Sequence, residues 1–388
     1  MKDHPIAITT FTTLNNLFEN TTTITVRSPG RINIIGEHTD YNDGFVLPAA
    51  INKACYVSVG KRKDDAIELF SVDFNERVSS SVNDVRSLAH GWPDYILGVA
   101  DQLKKRNYPL TGFNLVFSGH VPIGAGLSSS AAVECATAIA LNELFQFKIS
   151  KRELAEISQK AEHTFAGVNC GIMDQFASLF GKKDHVIKLD CRSLEYEYVP
   201  LKMIGCKIVL LNTNVKHSLA STEYNKRRVE CEKGVELVNK HIPAVKSLRD
   251  ITPAMLTEYI LPADPVIYMR CKYVVEENIR LLAACEDLRK GNLDALGKKM
   301  FATHDGLSKE YEVSCKELDF LVAFVSRNKN VSGARMMGGG FGGCTINIIK
   351  EEAVEEIIHA ATEAYGKIMN NDLVAYIAET ADGSSVVG

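Results

Sequence analysis

The sequence lacks paired cysteines, an excess of either charge and long apolar runs, and each absence excludes a class of protein. Its ten cysteines include no CxxC pair, which disfavours a zinc site or a disulfide scaffold and favours reduced thiols. Its 44 basic and 48 acidic residues give a formal charge of −4, which argues against a nucleic-acid or polybasic membrane surface. We therefore expect no nucleic-acid partner.

The sequence also has no stretch of the roughly 18 uncharged apolar residues that span a bilayer. Its first twenty-odd residues carry Asp3 and Glu19 and no apolar run, so we expect no secretory signal. The expected location is the cytoplasm, with no membrane partner. A monomer is favoured as the oligomeric state.

The composition is that of a folded protein, with 46% hydrophobic and 24% charged residues. At about 150 residues per domain, the 388 residues predict two domains, which we place at 1–195 and 196–388. Strand-like and helix-like segments alternate, which is typical of mixed folds. Strands are predicted at 24–27, 55–61, 67–73, 113–118 and 207–212.

Capping signals place several helices. One begins near Ser130, and a Ser-x-x-Glu capping box at Ser150 starts another that Gly167 ends. In the second half, helices are predicted to start at Thr252, at Asp264 and at the capping box of residues 314–317. A last helix is predicted over 351–369.

A glycine- and serine-rich loop, residues 121–132, lies between a predicted strand and a predicted helix. Backbone N–H groups freed by Gly124 and Gly126, together with the helix N-terminus, favour an anion site. A plain connecting turn is the alternative. No Gly-x4-Gly-Lys-Ser/Thr motif occurs, and Ser129 replaces the third glycine of a dinucleotide fingerprint, so a different phosphate-binding architecture is needed.

Residues 27–43 hold a dense set of polar groups, with Glu37, His38 and Asp40 inside four positions. Such groups could hydrogen-bond the hydroxyls of a small polyol or sugar. A metal site and a solvated turn are the alternatives.

Further along the chain, Asp174 falls near a predicted helix start, and Glu162 precedes it by twelve residues. One of these acids could bind a metal and the other could accept a proton, but their spacing assigns neither role.

The glycine run at 332–343 matches Gly-x-Gly-x-x-Gly literally, but a strand rather than a helix follows it. A dinucleotide site is therefore rejected. Glycines this dense usually allow another backbone or a ligand to approach closely. We expect close approach to the first domain, with a flexible hairpin as the alternative.

Three of these segments resemble a known family. Residues 30–42, GRINIIGEHTDYN, are similar to the signature of the galactokinase family. Residues 122–131, PIGAGLSSSA, resemble the ATP loop of the wider group of galactokinases, homoserine kinases, mevalonate kinases and phosphomevalonate kinases, and Gly338 to Gly343 resembles its third motif. The resemblance implies an α+β fold in which the active site lies between two domains: an N-terminal domain like ribosomal protein S5 domain 2, with a mixed five-stranded sheet, and a C-terminal ferredoxin-like domain.

The resemblance also implies an activity, which is transfer of the γ-phosphoryl group of ATP to the anomeric hydroxyl of galactose. The implied catalytic residues are Arg31 and Asp174, with Asp174 acting either as a base or as an orienting group. The implied sugar-binding residues are Glu37, His38, Thr39, Asp40, Gly171 and Tyr224. The implied ATP-binding residues are Gly124, Ala125, Gly126, Leu127, Ser128, Ser129 and Ser130. Magnesium would be held by Ser130 and Glu162.

Two other activities stay open within the same resemblance. An N-acetylgalactosamine kinase would need space beside the sugar C2 position, which the sequence does not reveal. A non-catalytic galactose and ATP sensor would lack a Ser-Ala pair in the ATP loop, whereas Ser130 and Ala131 are present here.

Overall fold

The structure is a computed structural model that describes residues 4–19, 22–89, 91–215 and 220–387. The first part of the chain forms α1 (Pro5–Phe18), β1 (Thr23–Asn33), β2 (Phe45–Val46), β3 (Pro48–Lys61), β4 (Ala66–Ser71), β5 (Glu76–Ser81), α2 (Trp92–Lys105), β6 (Phe113–Gly119), α3 (Ser129–Phe145), α4 (Lys151–Ala161), α5 (Met173–Phe180), β7 (His185–Asp190) and β8 (Tyr196–Pro200). None of the helices in these ranges, or in the rest of the described chain, is long and apolar enough to cross a membrane.

The second part contains more helix than the first, four strands that form a sheet of their own, and a short last strand that joins the first sheet. Its elements are β9 (Cys206–Asn212), α6 (Ala220–Asn239), α7 (Pro253–Met255), α8 (Pro265–Arg289), α9 (Leu293–Lys309), α10 (Lys316–Val325), β10 (Val331–Met336), β11 (Cys344–Lys350), α11 (Val354–Met369) and β12 (Val374–Ala378), followed by the short strand β13 (Ser385–Val386).

A six-stranded sheet of order β13-β1-β3-β6-β4-β5 organises the first part. Its pairs are antiparallel except β4 with β6, which is parallel, so the sheet is mixed as the fold prediction requires. The predicted sheet has five strands, one fewer than the sheet of the structure. The sixth, β13, comes from the far end of the chain and pairs with β1.

Strand β1 is longer than predicted, because it continues through Pro29 and Gly30 to Asn33. The register to β3 shifts between Pro29 and Arg31, as expected where proline enters a strand at a bulge. A Cβ on Gly30 would lie 2.6 Å from the Leu127 carbonyl oxygen, and the Arg31 N–H donates to that carbonyl at 3.1 Å. The bulge therefore places Arg31 directly beside the serine-rich loop.

Helix α3 is the central helix of the first part. The sequence predicts a single apolar face, but all residues from Ala131 to Asn142 are buried, because α3 packs against strands on one side and other helices on the other. The predicted start of α4 is confirmed: Ser150 caps it, accepting a hydrogen bond from the Glu153 N–H at 3.2 Å. A π-helical turn, Glu162–Ala166, extends α4 to Gly167, whose φ is +71°.

The second part contains a four-stranded antiparallel sheet of order β10-β11-β9-β12. The elements of this part follow one another in the order strand, helices, two strands, helix and strand. This order confirms the prediction of a ferredoxin-like domain. The predicted helix starts at Thr252 and Asp264 are confirmed by side-chain caps. The predicted box at 314–317 is wrong: Cys315 is the N-cap, and the Ser314 hydroxyl donates instead to Asp319, at 2.6 Å.

A third sheet, β2-β7-β8, and the end of the chain join the two parts. Strands β7 and β8 form an antiparallel pair, and the turn between them lies between Asp190 and Tyr196. The boundary predicted after residue 195 therefore falls inside this hairpin. That boundary stays a prediction. Helix α1 was not predicted at all, since its threonine-rich sequence has low helix propensity.

Candidate active site

The predicted motifs meet around one cavity of about 330 Å³. Most predicted site residues line it: Arg31, Glu37, His38, Asp40, Gly124, Gly126, Leu127, Ser128, Ser129, Ser130, Glu162, Gly171, Asp174 and Tyr224. Thr39 and Ala125 do not. The Thr39 hydroxyl donates to the Gly36 and Phe45 carbonyls at 3.0 and 2.5 Å and so closes the turn from behind, while Ala125 is fully buried beneath the loop.

The serine-rich loop has the backbone of an anion-binding site. Gly124, Gly126 and Ser128 all have positive φ, at +75°, +71° and +57°, and the loop runs into the N-terminus of α3. The N-cap residue Ser128 makes no side-chain capping hydrogen bond there, so N–H groups of the first turn and the positive end of the helix dipole can face phosphate oxygens.

The second glycine run packs against this loop, as the sequence predicts. A Cβ on Gly126 would lie 3.3 Å from the Met337 carbonyl oxygen, and one on Gly343 would lie 3.4 Å from the Ala125 carbonyl carbon. Gly338, with φ of +84°, approaches Gly126 in the same way. A Cβ would be tight only at Gly126, and the positive φ angles of all three positions are what favours glycine where the two backbones meet.

An ion pair between Arg31 and Asp174 lines the cavity. Arg31 donates to both carboxylate oxygens of Asp174, at 2.7 and 2.9 Å, and also to the Gly126 carbonyl. Ser128 donates its hydroxyl proton to Asp174. Burial would lower the pKa of Arg31, but Asp174 and Glu37 hold it above its ordinary value. The pair thus fixes a cation and an anion at the junction of the serine-rich loop and α5.

Glu37 is held from the second part of the chain. Its Oε1 accepts hydrogen bonds from Arg335 Nη1 at 3.0 Å and from the Gly338 N–H at 2.8 Å. Burial acts to raise the pKa of Glu37, but Arg335 and Arg31 lower it below its ordinary value. Arg335 is fully buried and also donates to the Ile34 carbonyl at 2.8 Å. Sequence reasoning missed it, although a lone arginine inside the small, apolar run Ser-Gly-Ala-Arg-Met-Met is a signal.

His38 lies on the cavity wall, and the Gly339 backbone is close enough to its imidazole to act against the lowering of its pKa. Its φ is +62°, and its Nδ1 lies 2.8 Å from the Tyr41 hydroxyl. Its buried Nε2 has no hydrogen-bond partner among the described residues. Burial lowers the pKa of His38 to about 4, so the imidazole is neutral near pH 7. A buried, unpaired polar atom on a cavity wall is a ready contact for a polar ligand.

Asp40 and Gly171 form a matched pair on the same wall. Burial raises the pKa of Asp40 to about 7, and the charge of Asp174 acts in the same direction. A Cβ on Gly171 would overlap the Asp40 carboxylate, so the carboxylate reaches its position only because residue 171 is glycine. The Tyr224 ring, 5.3 Å from the His38 ring between centroids, completes this wall.

A second polar group lies where α3 meets the end of α4. The Ser130 hydroxyl donates to Glu162 Oε1 at 2.9 Å. Gln175 Nε2 donates to Glu162 Oε2 at 2.7 Å and to the buried Glu134 at 3.2 Å. Burial, followed by the charge of Asp174, raises the pKa of Glu162. A hydroxyl and a carboxylate are hard oxygen ligands of the type that Mg²⁺ prefers, and a bound cation would favour the ionised carboxylate. Gln175 and Glu134 were not predicted.

Models of known families match three segments of the chain. Residues 13–61 match the galactokinase galactose-binding signature. Residues 94–182 match the N-terminal domain of GHMP kinases, and residues 284–367 match their C-terminal domain.

Curated relatives and solved structures agree with these matches. A galactokinase of Thermotoga petrophila is 45% identical over 92% of this chain and 98% of its own length. A galactokinase of Clostridium acetobutylicum is 42% identical over 93% of this chain and 94% of its own. The crystal structure of Lactococcus lactis galactokinase complexed with galactose has a TM-score of 0.93 and 33% identity, covering 97% of this chain and 98% of that one. A mevalonate kinase structure, 20% identical with a TM-score of 0.63, shares the fold.

Proposed function

The chain belongs to the galactokinase family of the GHMP kinases, and we propose on that premise how its cavity binds ATP and galactose side by side. Its activity is ATP-dependent phosphorylation of galactose, in which the γ-phosphoryl group passes to the C1 hydroxyl and leaves galactose 1-phosphate and ADP. The single observation that carries the proposal is the Arg31–Asp174 pair. It contacts the serine-rich loop through Gly126 and Ser128 and shares the cavity with Glu37, His38 and Asp40.

The triphosphate lies along residues 124–130. Backbone N–H groups of this loop and of the first turn of α3 contact phosphate oxygens, and the positive end of the helix dipole stabilises their charge. The Ser129 hydroxyl adds a further donor, whereas the Ser128 and Ser130 hydroxyls donate to Asp174 and Glu162, so these two residues contact phosphate through their backbone. Arg31 faces the γ-phosphoryl group and neutralises the charge that spreads over its oxygens in the transition state.

Galactose lies against the turn formed by residues 37–40. The carboxylates of Glu37 and Asp40 accept hydrogen bonds from sugar hydroxyls, and His38 Nε2 provides a further polar contact. The Tyr224 ring packs against the sugar, and Gly171 leaves room for the Asp40 carboxylate. Thr39 lies outside the cavity, and its part is to hold the turn closed.

Asp174 lies between the two substrates. Three donors, two from Arg31 and one from Ser128, fix its carboxylate. In that position it accepts the hydrogen bond of the C1 hydroxyl and directs the oxygen at the γ-phosphorus, which is the in-line geometry that phosphoryl transfer needs. Asp174 either takes the proton as the new bond forms or only orients it.

Ser130 and Glu162 are the proposed magnesium ligands. Their oxygens suit a hard divalent cation, and Gln175 holds the Glu162 carboxylate in place. The ion would neutralise negative charge on the phosphates.

We favour a monomer as the oligomeric state. We place the protein in the cytoplasm, where ATP is available.

Phosphate transfer from ATP across a panel of galactose, N-acetylgalactosamine and glucose tests the function. We expect ADP release with galactose as the preferred acceptor. Preference for N-acetylgalactosamine would overturn the proposed substrate. Binding of galactose and ATP without ADP release would identify a sensor instead.

A further inference from the structure

A chain of hydrogen bonds leads from the sugar-binding turn into the second part of the protein. His38 Nδ1 lies 2.8 Å from the Tyr41 hydroxyl, which lies 2.8 Å from the Tyr311 hydroxyl. The Tyr311 hydroxyl lies 3.2 Å from Cys231 Sγ. The chain therefore starts at a residue on the cavity wall and ends at a thiol on α6.

The members of this chain are held rigidly. Tyr311 and Cys231 are buried. Arg227, one turn before Cys231 on α6, donates to the Tyr311 carbonyl at 2.6 Å. The Tyr311 ring also packs on the Tyr273 ring, with centroids 4.9 Å apart. The phenol of Tyr311 therefore has one position, set by α6 and α8.

The relative acidities of the imidazole, phenol and thiol groups determine which atom donates in each hydrogen bond of the chain. A phenol is a stronger acid than a neutral imidazole N–H, and an imidazole nitrogen is a better base than a phenol oxygen. Burial raises the pKa of both phenols well above the ordinary value, and it raises the pKa of Cys231 to about 12, so all three keep their protons. The favoured order is Cys231 to Tyr311, Tyr311 to Tyr41, and Tyr41 to His38 Nδ1.

We propose that Tyr41 and Tyr311 are positioning residues for galactose, which hold His38 in the tautomer that carries its proton on Nε2. The ring nitrogen that accepts from Tyr41 determines which nitrogen keeps the proton. His38 then presents a hydrogen-bond donor to a sugar hydroxyl oxygen, whereas Glu37 and Asp40 present acceptors. This inference rests on the proposed role of His38 in sugar binding.

The tautomer is measured directly by nitrogen-15 NMR of histidine-labelled protein without any ligand, with the His38 signals assigned from their absence in His38→Gln. We expect a pyridine-type Nδ1 and a pyrrole-type Nε2 in the unaltered protein. In Tyr41→Phe, where Nδ1 loses its donor, we expect the two tautomers to mix. A protonated Nδ1 in the unaltered protein, or an unchanged His38 signal in Tyr41→Phe, would overturn the proposal.

Kinetics provide the second measurement. One neutral hydrogen bond corresponds to about a three- to tenfold change in an equilibrium constant, so Tyr41→Phe and Tyr311→Phe should raise the KM for galactose by that factor and leave the KM for ATP unchanged. The matched control is Tyr365→Phe. Tyr365 is as fully buried as Tyr311, and its hydroxyl donates to the Thr213 carbonyl at 2.8 Å, away from the cavity.

The two measurements separate a positioning role from a structural one. Tyr365→Phe removes the same hydroxyl from a buried site, so it should change thermal stability but neither the galactose KM nor the His38 signals. An equal rise in galactose KM in Tyr365→Phe would reject the positioning role. If the unaltered protein shows the expected tautomer but does not phosphorylate galactose, the proposed function fails while the hydrogen-bond chain stands.

Discussion

Galactose binding should depend on pH because of Asp40. Burial raises the pKa of this carboxyl to about 7, and the charges of Asp174 and Glu37 act in the same direction. Sugar hydroxyls that donate to Asp40 favour its ionised form. Binding should therefore release a proton, and affinity should increase as the pH rises through 7.

The size of the effect follows from the ionised fraction of Asp40. With a pKa of about 7, about one molecule in eleven is ionised at pH 6 and about ten in eleven at pH 8. If only the ionised form binds well, the apparent Kd at pH 6 should be about tenfold that at pH 8. At pH 7 about half a proton should be released for each galactose bound.

Isothermal titration calorimetry in buffers of different ionisation enthalpy measures that proton release. The titration is done without nucleotide and metal, so that cation binding does not change the protonation of Glu162. His38, with a pKa lowered to about 4 by burial, does not titrate between pH 6 and 8. The matched control is Asp40→Asn, which should bind galactose weakly and without pH dependence in this window.

The stability of the ligand-free protein should change with the opposite sign. A carboxyl whose pKa is raised from 3.8 to about 7 on folding contributes stability that is fully present below pH 3.8 and is lost as the pH rises through 7. The thermal midpoint should therefore fall between pH 5 and pH 8 more steeply than in Asp40→Asn. Equal galactose affinity at pH 6 and pH 8, with no proton release, would refute this reasoning.

Three further substitutions test other parts of the site. Asp174→Asn should keep ATP binding but lose on the order of 3 kcal/mol of transition-state stabilisation, measured as a fall in kcat; near-normal turnover would remove Asp174 from the mechanism. Gly171→Ala places a Cβ against the Asp40 carboxylate, so calorimetry should show weaker galactose binding and unchanged ATP binding. Glu162→Gln should raise the Mg²⁺ concentration for half-maximal activity by at least about tenfold, while metal-free galactose binding stays the same; an unchanged Mg²⁺ requirement would exclude Glu162 as a ligand.

Much of the cavity could be predicted because its motifs are local. The positive φ angles of Gly124 and Gly126 and the N-terminus of α3 depend on neighbours in the sequence, so their pattern of residues predicts their geometry. The same holds for the Ser150 cap of α4. The order of the strands in the second part was also implied by the resemblance of the motifs.

The missed residues depend on contacts between distant segments. Arg335 is 298 positions from Glu37, and Tyr311 is 270 from Tyr41. Contacts between residues so far apart in the sequence produce no periodic or regularly spaced pattern of residues. Likewise, β13 joins the first sheet from the end of the chain, and a two-residue strand carries too little pattern to be recognised.

The sequence by itself determined the elements whose physics is local: the glycine-rich loop, the helix caps and the cluster of polar groups in residues 37–40. The tertiary structure alone decided which of those polar groups would be charged. Burial and neighbouring charges, both set by packing between the two parts of the chain, lower the pKa of Glu37 and raise that of Asp40. Two carboxylates three residues apart acquire opposite shifts because Arg335 and Arg31 outweigh the effect of burial at Glu37, whereas the charge of Asp174 adds to the effect of burial at Asp40.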